Sequence, residues 1–257
     1  MKSEHKKIAI YIPARNAAAT LPIVLDRIPD EVKKKVREIF VVDNASRDNS
    51  YLTVIGYKKE KNLSNLRVMR NKEDKGYGGS QKIAYEYAIN KGYDIIVMLH
   101  GDAQYAPEML PFILKPLEEG TADMVFGSRM KGDPLKGGMP MWKLIGNKSL
   151  TWIENKVLKL DLSEFHSGYR AFSVKALKKV PFKKCDNDYH FDTDILIQFK
   201  IKGLRIRETP IPTHYGEESH SPSPWQLVKY TLNILKSLLE YELHIAGIKK
   251  KDKFDVK

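Results

Sequence analysis

The feature that most constrains the fold is a repeated alternation of short apolar runs and helical patterns through the first half of the chain. Runs of strand length recur there, and the segments between them show the 3.6-residue spacing of amphipathic helices. The predicted strands are Ile8–Ile12, Ile39–Val42, Leu66–Met69, Ile95–Leu99 and Met124–Phe126. Such alternation is typical of a mostly parallel sheet with helices on both faces, so we predict an α/β fold.

Polar, charged or glycine-rich segments follow nearly every predicted strand. Asn16 follows the first strand, Asp43 the second, Gly76 the third and Arg129 the fifth. Open α/β sheets bind ligands beyond the carboxyl ends of their strands, so this edge is the predicted crevice. No G-x-G-x-x-G lies between the first strand and helix, and no G-x-x-x-x-G-K-[ST] occurs at all. Rossmann-type dinucleotide binding and P-loop phosphate binding therefore lose support.

The segment DIIVMLHGDAQYAPE, from Asp94 to Glu108, predicts a buried strand, a functional turn and the start of a helix. Asp102 and Gln104 are two residues apart in that turn and direct oxygen atoms toward the same space. Hard oxygen ligands suit Mg²⁺ or Mn²⁺, and an ion held by so few side chains takes its remaining ligands from a substrate diphosphate. The competing interpretation is that both side chains only cap the next helix.

Composition limits the classes of protein to which this chain can belong. A hydrophobic share of 42% with 30% charged residues indicates a folded globular protein, and the single cysteine, Cys185, excludes an internal disulfide framework. We find neither a signal peptide nor an apolar stretch long enough to cross a membrane, so we expect a cytoplasmic protein. The net charge of +12 fits anionic lipid or phosphorylated ligands, and the competing interpretation is that its diffuse lysines only form a solvated surface. No basic–aromatic interleaving supports a nucleic-acid partner.

The second half of the chain is less regular. A Gly/Pro-rich loop precedes a helix through Trp142 and Val157, and a short strand is expected after the turn at Ser167 and Gly168. A helix from about Asp192 and a strand from about Leu204 to Thr209 follow. The last helix is amphipathic, with an apolar face of Leu227, Val228, Leu232, Leu235, Leu239 and Leu243. We predict one domain over residues 1–222, with residues 223–257 as an appended helix and basic tail.

From Ile8 to Ser221 the chain resembles family 2 glycosyltransferases with the GT-A fold, close to dolichyl-phosphate mannose synthases and other polyprenyl-phosphate sugar synthases. The order and spacing of its motifs carry the resemblance: IPARN, VVDNAS, DKGYGG, HGDAQYAPE, FGSR, HSGYRAFS, FDTDIL and ETPIPTHYGEES. The family commonly reads Asp-x-Asp-x-Gln after the fourth strand. Here His100 occupies the first position, and Asp102 and Gln104 match the other two. Asn44 likewise stands where a second Asp is common.

The resemblance implies roles for individual residues. Those matching the nucleotide-sugar segments are Pro13, Ala14, Arg15, Asn16, Asp43, Lys75, Gly76 and Asp102. Those matching the acceptor segments are Arg129, Lys143, Ser167 and Arg170, with Tyr169 replacing the phenylalanine of the Ser-Gly-Phe-Arg motif. Asp194 matches the acidic position that serves as a base in many family members. Asp102, Arg129, Arg170 and Asp194 are the implied catalytic residues, and Asp102 and Gln104 the implied metal ligands.

The implied reaction is a metal-dependent, inverting transfer of a hexose from a nucleotide sugar, of the GDP-mannose or UDP-glucose type, to a polyprenyl or dolichyl phosphate. The last helix and its lysines would then rest on an anionic membrane surface. Three alternatives stay open: a saccharide or glycolipid hydroxyl as acceptor, a sugar-nucleotide-binding protein without turnover, and a nucleotidyltransferase. The last helix has its own alternative, packing on the domain or forming a dimer. Arg129 could be a plain surface cation and Asp194 a helix-surface or capping carboxylate.

Overall fold

The structure is a computed structural model that describes residues 6–215 and 224–256, with a seven-stranded sheet at its centre. The strands are β1 (Ile8–Ala14), β2 (Glu38–Asp43), β3 (Leu66–Arg70), β4 (Ile95–Met98), β5 (Met124–Ser128), β6 (Arg170–Ser173) and β7 (Ile206–Pro210). The helices are α1 (Leu21–Arg27), α2 (Asp30–Lys35), α3 (Ser50–Glu60), α4 (Gly76–Lys91), α5 (Leu110–Glu118), α6 (Met141–Leu158), α7 (Val174–Leu177), α8 (Phe191–Ile201) and α9 (Pro224–Ile245). Short 3-10 turns lie at Pro107–Met109, Phe182–Lys184 and Asp252–Phe254.

The strand order is β3-β2-β1-β4-β6-β5-β7. The pairs β1–β2, β2–β3, β1–β4 and β5–β7 are parallel, whereas β6 runs antiparallel between β4 and β5. The predicted mostly parallel α/β sheet is therefore confirmed. The insertion of β6 between two strands that follow each other along the chain is a pairing between residues far apart in sequence, and local patterns do not report it.

Two apolar layers cover the faces of the sheet. Within β1, Ala9 and Tyr11 belong to the layer on one face, while Ile8, Ile10 and Ile12 belong to the layer on the other. Helices α4 and α8 pack in the first layer, and α1 and α5 in the second. This alternation is the two-residue period of a strand that is buried on both faces. The expected helices on both faces are thus confirmed.

Helix α9 has two apolar stripes where the sequence predicted one. The residues that pack into the core are Ile234, Leu238 and Tyr241, each at most 3% exposed. Of the predicted face, Val228, Leu232, Leu235 and Leu239 are exposed, whereas Leu227 and Leu243 are half-buried. Most of that face therefore does not pack on the domain. The proposed boundary at residue 222 lies in the segment 216–223, outside the described residues. Within the described ranges, no helix has the length and hydropathy needed to cross a membrane.

Candidate active site

A cavity of about 580 Å³ opens at the carboxyl edge of the sheet. Its walls come from the β1–α1 loop, the turn after β4, the end of β5, α6, the turn before β6, and the first turns of α8 and α9. Predicted site residues that line it are Pro13, Arg15, Asn16, Asp102, Gln104, Arg129 and Lys143. Further lining residues include Tyr77, His100, Asn147, His166, Asp192 and Tyr230. The structure thus brings together side chains from both halves of the chain.

The turn after β4 presents Asp102 and Gln104 to this cavity. Between them, Ala103 has a positive φ of 60°, a strained conformation for a residue with a Cβ, and the backbone N–H of Gln104 donates to Asp102 Oδ1 at 3.1 Å. The hydroxyl of Thr20 holds the turn by donating to the Gly101 carbonyl at 2.6 Å. A carboxylate and an amide therefore face the cavity from a turn that is braced on the β1–α1 loop.

His100, the departure from the family motif, packs among aromatic rings. Its Nε2 lies 3.4 Å from the hydroxyl of Tyr77, and its ring meets Tyr105 edge to face. A Cβ added to Gly168 would lie 2.3 Å from that Nε2, so the glycine makes room for the imidazole. Nε2 is therefore directed toward Tyr77 and Gly168.

A hydrogen-bond network joins the ends of β1, β2 and β3. Asp74 pairs with Arg15 and accepts from the Asn44 amide at 2.6 Å, and the Asn44 oxygen accepts the backbone N–H of Lys75 at 3.0 Å. Gly76, with φ +75°, approaches so closely that a Cβ would lie 2.4 Å from the Asn187 carbonyl. Of the residues predicted to bind the nucleotide, Asp43 and Ala14 are buried, and Lys75, whose ammonium pairs with Glu73, does not line the cavity. Arg15 and Asn16 are the polar side chains that line it beside Asp102.

Arg129 is a buried cation with a dedicated partner. The side chain is only 6% exposed, which rules out a plain surface cation. Its guanidinium contacts the fully buried Glu164 through Nε at 3.0 Å and Nη2 at 2.9 Å, and Nη1 donates to the Tyr215 hydroxyl at 3.1 Å. Burial alone would lower the pKa of Arg129, but the Glu164 charge and hydrogen bond, together with Tyr105 and Tyr215, outweigh burial and hold that pKa well above its ordinary value. Arg129 therefore stays charged in the cavity wall.

Lys143 and Asn147 lie one turn apart on α6 and both line the cavity. The Lys143 ammonium sits 4.6 Å from the centre of the Tyr215 ring, and within the described ranges no carboxylate pairs with it. Burial, and secondarily the Arg129 charge, lower the pKa of Lys143. The Asn147 Nδ2 is buried and has no hydrogen-bond partner among the described residues. A cation and an amide donor thus remain available to an anionic ligand.

Arg170 is not brought to the cavity. Its fully buried guanidinium donates to the carbonyls of Ser167 at 2.8 Å, Asp192 at 2.9 Å and Phe165 at 2.5 Å. Ser167 is also fully buried. The placement favours a role for Arg170 in holding the turn before β6 and the start of α8, rather than direct contact with substrate.

Asp194 is likewise directed away from the cavity. Both of its oxygens accept from Lys253 Nζ, at 2.9 and 3.1 Å, and the side chain is fully buried. The residue that α8 presents to the cavity is Asp192, which accepts from the Tyr77 hydroxyl at 2.9 Å and from Gln81 Nε2 at 3.1 Å. Positions two apart on a helix point to opposite sides, so the FDTDIL motif places one acid on each side.

Asp186, His190 and Asp194 cluster closely enough to hold a metal ion, but a cation already sits among them. Lys253 Nζ lies 2.9 Å from Asp194 and 3.6 Å from Asp186. None of the three acidic or imidazole side chains lines the cavity. This cluster is therefore separate from the predicted metal site at Asp102 and Gln104.

Several cavity residues were missed by the sequence-based prediction. His166 and Asp192 lie inside quoted motifs, and Tyr230 lies on the last helix. Glu164, the buried partner of Arg129 behind the cavity wall, was also missed. Helical periodicity could have shown that Asp192 and Asp194 face opposite ways, but not which one meets the cavity. No local signal indicates that α9 returns to line the site.

Comparison with known proteins identifies the family of this chain. Residues 9–181 match the model for glycosyl transferase family 2. The chain is 29% identical over 224 residues to a UDP-N-acetylglucosamine–dolichyl-phosphate N-acetylglucosaminyltransferase of Methanococcus voltae, covering 83% of this chain and 88% of that protein. It is 28% identical over 210 residues to an undecaprenyl-phosphate mannosyltransferase of Micrococcus luteus, covering 80% and 82%.

The fold has solved counterparts. Glucosyl-3-phosphoglycerate synthase from Mycobacterium tuberculosis, in complex with UDP, superposes with a TM-score of 0.68 at 19% identity, covering 95% of this chain and 81% of that one. The same enzyme with Mn²⁺, UDP and glucosyl-3-phosphoglycerate gives 0.65 at 18% identity, covering 92% and 80%. Together with the family model and the relatives, this likeness identifies the chain as a member of glycosyltransferase family 2, an enzyme with the GT-A fold.

Proposed function

We propose that the enzyme transfers a hexose from a nucleotide sugar to the phosphate of a polyprenyl lipid, with inversion at the anomeric carbon. The observation that supports the proposal is that different elements bring different groups to the cavity, metal-binding oxygens in one case and anion-binding groups in the other. The oxygens of Asp102 and Gln104 line it from the turn after β4. Lys143, which has no carboxylate partner among the described residues, and the Asn147 amide line it from α6. The names of the Methanococcus and Micrococcus relatives, which specify dolichyl and undecaprenyl phosphate, support the acceptor class.

The donor end fits a divalent ion by the chemistry of its ligands. Asp102 and Gln104 offer the hard oxygens that Mg²⁺ and Mn²⁺ prefer, and a diphosphate would supply the other ligands. His100 Nε2 contacts the Tyr77 hydroxyl at 3.4 Å, so Asp102 and Gln104 are the oxygen ligands that would hold the ion. When bound, the ion neutralises negative charge on the departing nucleoside diphosphate. Arg15 and Asn16 contribute the protein's own polar contacts at this end.

The acceptor end fits a phosphate monoester. A phosphate oxygen forms the new bond to the anomeric carbon while the bond to the nucleoside diphosphate breaks on the opposite face, which inverts that carbon. Lys143 and Asn147 would orient the phosphate, and the field of Arg129 would favour its negative charge. A phosphate monoester is already ionised near neutral pH, so no protein base has to remove a proton.

The presence of Asp192 keeps a second candidate open. A saccharide or glycolipid hydroxyl would need a general base, and Asp192 is the cavity carboxylate on the helix where the sequence predicted one. Asp192 is held by Tyr77 and Gln81, so it is well positioned for such a role. The two acceptor classes therefore predict different consequences for Asp192→Asn. Turnover should collapse with a hydroxyl acceptor and largely persist with a phosphate.

The lipid acceptor suggests peripheral contact with a membrane at its cytoplasmic face. On α9, Trp225 is 77% exposed and Leu232 and Leu239 about 60%, and on α6 Trp142 and Trp152 are 61% and 63% exposed. Helices α6 and α9 pack against each other, and lysines lie among these apolar residues. Exposed tryptophans and leucines interspersed with lysines suit an anionic bilayer surface.

The decisive experiment is a donor panel assayed for nucleoside diphosphate release with a polyprenyl phosphate, with and without Mn²⁺ or Mg²⁺. We expect one nucleotide sugar to give a lipid-linked hexose, dependent on both acceptor and ion. The matched control is Asp102→Ala, which should lose the transfer. Release only with a saccharide or glycolipid hydroxyl would replace the proposal with its rival, and donor binding without release would indicate a binding protein.

A further inference from the structure

A single tyrosine contacts both cations at the acceptor end of the cavity. The ring centre of Tyr215 lies 4.6 Å from Lys143 Nζ, and the Tyr215 hydroxyl oxygen accepts from Arg129 Nη1 at 3.1 Å. Arg129 and Lys143 line the cavity, whereas Tyr215 does not. The three residues come from separate parts of the chain, the loop after β5, α6 and the segment after β7. Tyr215 therefore joins two cavity side chains without being one of them.

The backbone of Tyr215 is held independently of its side chain. The segment after β7 lies between the turn after β4 and the loop after β5. The N–H of Tyr215 donates to the Gly137 carbonyl at 2.9 Å, and the N–H of His214 donates to the Gln104 carbonyl at 3.2 Å. Gly137 permits this approach, because a Cβ there would lie 2.2 Å from the Thr213 carbonyl oxygen. A change of the Tyr215 side chain should therefore leave the segment in place.

The phenol suits both cations, which would otherwise repel each other in one wall. The Arg129 charge is, after burial, what lowers the pKa of Lys143. An aromatic ring presents partial negative charge on its face, and a phenol oxygen accepts hydrogen bonds. Arginine carries donors only, so the direction of its bond to Tyr215 does not depend on the protonation of any other group. The other charges that act on Tyr215 are those of Glu164 and Asp102.

We infer that Tyr215 is a positioning residue that holds Lys143 and Arg129 side by side toward the acceptor phosphate. The inference rests on the proposed function. Glu164 takes Nε and Nη2 of the guanidinium, and Tyr215 takes Nη1, so the two residues together fix its orientation. The flexible stem of Lys143 has no carboxylate partner within the described ranges, so the Tyr215 ring is the contact that favours one position of the ammonium.

The test compares Tyr215→Leu, which removes the ring and the hydroxyl, with Tyr215→Phe, which removes the hydroxyl alone. With the full chain and a polyprenyl phosphate of defined length, Tyr215→Leu should raise the acceptor KM about tenfold, because both cations lose their common contact. Tyr215→Phe should raise it about threefold, since Glu164 still holds Arg129. The KM of the sugar nucleotide should not change in either variant.

The alkaline pH profile is a readout that a merely structural role would not move. The ring face favours the charged form of Lys143, so its loss should lower the pKa of that lysine further. We expect the alkaline rise in acceptor KM to move down by about half a pH unit or more in Tyr215→Leu. In Tyr215→Phe it should coincide with the wild type, which also excludes titration of the phenol as its cause. The double variant Tyr215→Leu/Lys143→Arg should show no alkaline rise, because the guanidinium stays protonated.

Tyr57 provides a matched control with the same two kinds of contact elsewhere on the molecule. Its ring centre lies 5.8 Å from Lys61 Nζ, and its hydroxyl donates to Asp26 at 2.8 Å. Tyr57 is buried on α3 and does not line the cavity. Tyr57→Leu should therefore leave the acceptor KM and its pH profile at wild-type values, even where the melting temperature falls.

The outcomes separate the two claims. If the wild type transfers no sugar to polyprenyl phosphate, the proposed function fails before any variant is made, and this inference fails with it. If the wild type is active but Tyr215→Leu leaves the acceptor KM and its pH profile unchanged, or raises both KM values equally, the inference is overturned and the proposed function stands. Should Tyr215→Leu fail to fold by circular dichroism, the selective rise in acceptor KM of Tyr215→Phe, or its absence, decides.

Discussion

The Asp102 carboxylate both stabilises its own turn and faces the cavity. Its Oδ1 accepts the Gln104 backbone N–H at 3.1 Å, which stabilises the strained turn at Ala103, and the carboxylate also faces the cavity. Replacing it therefore removes a charge from the donor site and loosens the turn that presents Gln104. Asp194, although it is also acidic and within a family motif, is fully buried against Lys253 and has neither role.

These environments predict opposite outcomes for two carboxylate variants. Asp102→Ala should lower turnover about 100-fold or more, because it removes electrostatic stabilisation where charge develops. Asp194→Asn should lower turnover less than about threefold per folded molecule, with its cost appearing as lost stability. Steady-state transfer to a polyprenyl phosphate, corrected for folded fraction by circular dichroism, provides the measurement. Equal losses of turnover would contradict the assignment.

Lys143 should make acceptor binding sensitive to alkaline pH. Burial, and after it the Arg129 charge, lower the pKa of Lys143, so the ammonium is lost at a lower pH than that of an exposed lysine. We expect the acceptor KM to rise about tenfold as pH increases through that lowered pKa, and the donor KM to change less. Steady-state kinetics from neutral to alkaline pH measure both constants.

Lys143→Arg is the control for that profile. The guanidinium stays protonated across the same range, so the alkaline rise in acceptor KM should disappear even if the neutral-pH value changes. A profile that is identical in the wild type and Lys143→Arg would assign the pH dependence to another group.

At the scale of the element, Lys253, in the segment that follows α9, binds both α8 and α9. Lys253 Nζ contacts Asp194 at 2.9 Å and Glu240 of α9 at 3.0 Å, so one ammonium ties together two helices that both contribute to the cavity. Burial by itself would lower the pKa of Lys253, but the Asp194 and Glu240 charges raise it. The stabilisation is therefore complete at neutral pH, and it is lost only as pH rises through this raised value.

Lys253→Met should lower the free energy of unfolding by about 3 kcal/mol, because Asp194 is left as a buried carboxylate without its cation. The double variant Lys253→Met/Asp194→Asn should recover a large part of this loss, since the unpaired charge is then removed. Urea unfolding at neutral pH, followed by circular dichroism, measures both. Additive losses in the double variant would show that the two side chains are not coupled.

Helix α9 shows why an amphipathic pattern does not by itself identify what covers it. The spacing of the leucines suggested a single apolar face. The residues that pack into the core are instead Ile234, Leu238 and Tyr241, which form a different stripe of the helix. The helix therefore belongs to the core and also carries an exposed apolar stripe. Removing it would expose core residues, so its surface role has to be tested with substitutions rather than by truncation.

At the scale of the whole molecule, the net charge of +12 and the exposed apolar stripe of α9 predict binding to anionic membranes. The full chain should float with vesicles containing an anionic lipid, and less with neutral vesicles or at high salt, because screening weakens attraction to the surface. The triple change Trp225→Ser, Leu232→Ser and Leu239→Ser should reduce flotation about tenfold or more, since each lost side chain contributes apolar burial. Flotation assays measure this directly.

A matched control uses apolar residues of similar exposure elsewhere on the molecule. Leu52 on α3 and Phe112 on α5 are 60% and 59% exposed, and serine at both should leave flotation unchanged. If the control reduces binding as much as the triple variant does, the contact is non-specific and α9 is not the membrane surface.

The sequence by itself determined the α/β class, the position of the crevice and the family. Each of these depends on local information: the period of buried strands and helices, the polar residues where strands end, and short motifs in a fixed order. For the same reason Asp102 and Gln104, adjacent in one turn, could be paired before the structure was known.

Only the tertiary structure decided which charged groups meet. Arg129 pairs with Glu164, 35 positions away, and Lys253 with Asp194, 59 positions away. Whether Asp192 or Asp194 faces the cavity, and whether α9 buries one stripe or another, depends on where neighbouring elements pack. Such contacts join segments that are distant in sequence and that the folded sheet brings together, with β6 inserted antiparallel between β4 and β5. A local pattern specifies the faces of an element, but the partner of each face is a property of the whole fold.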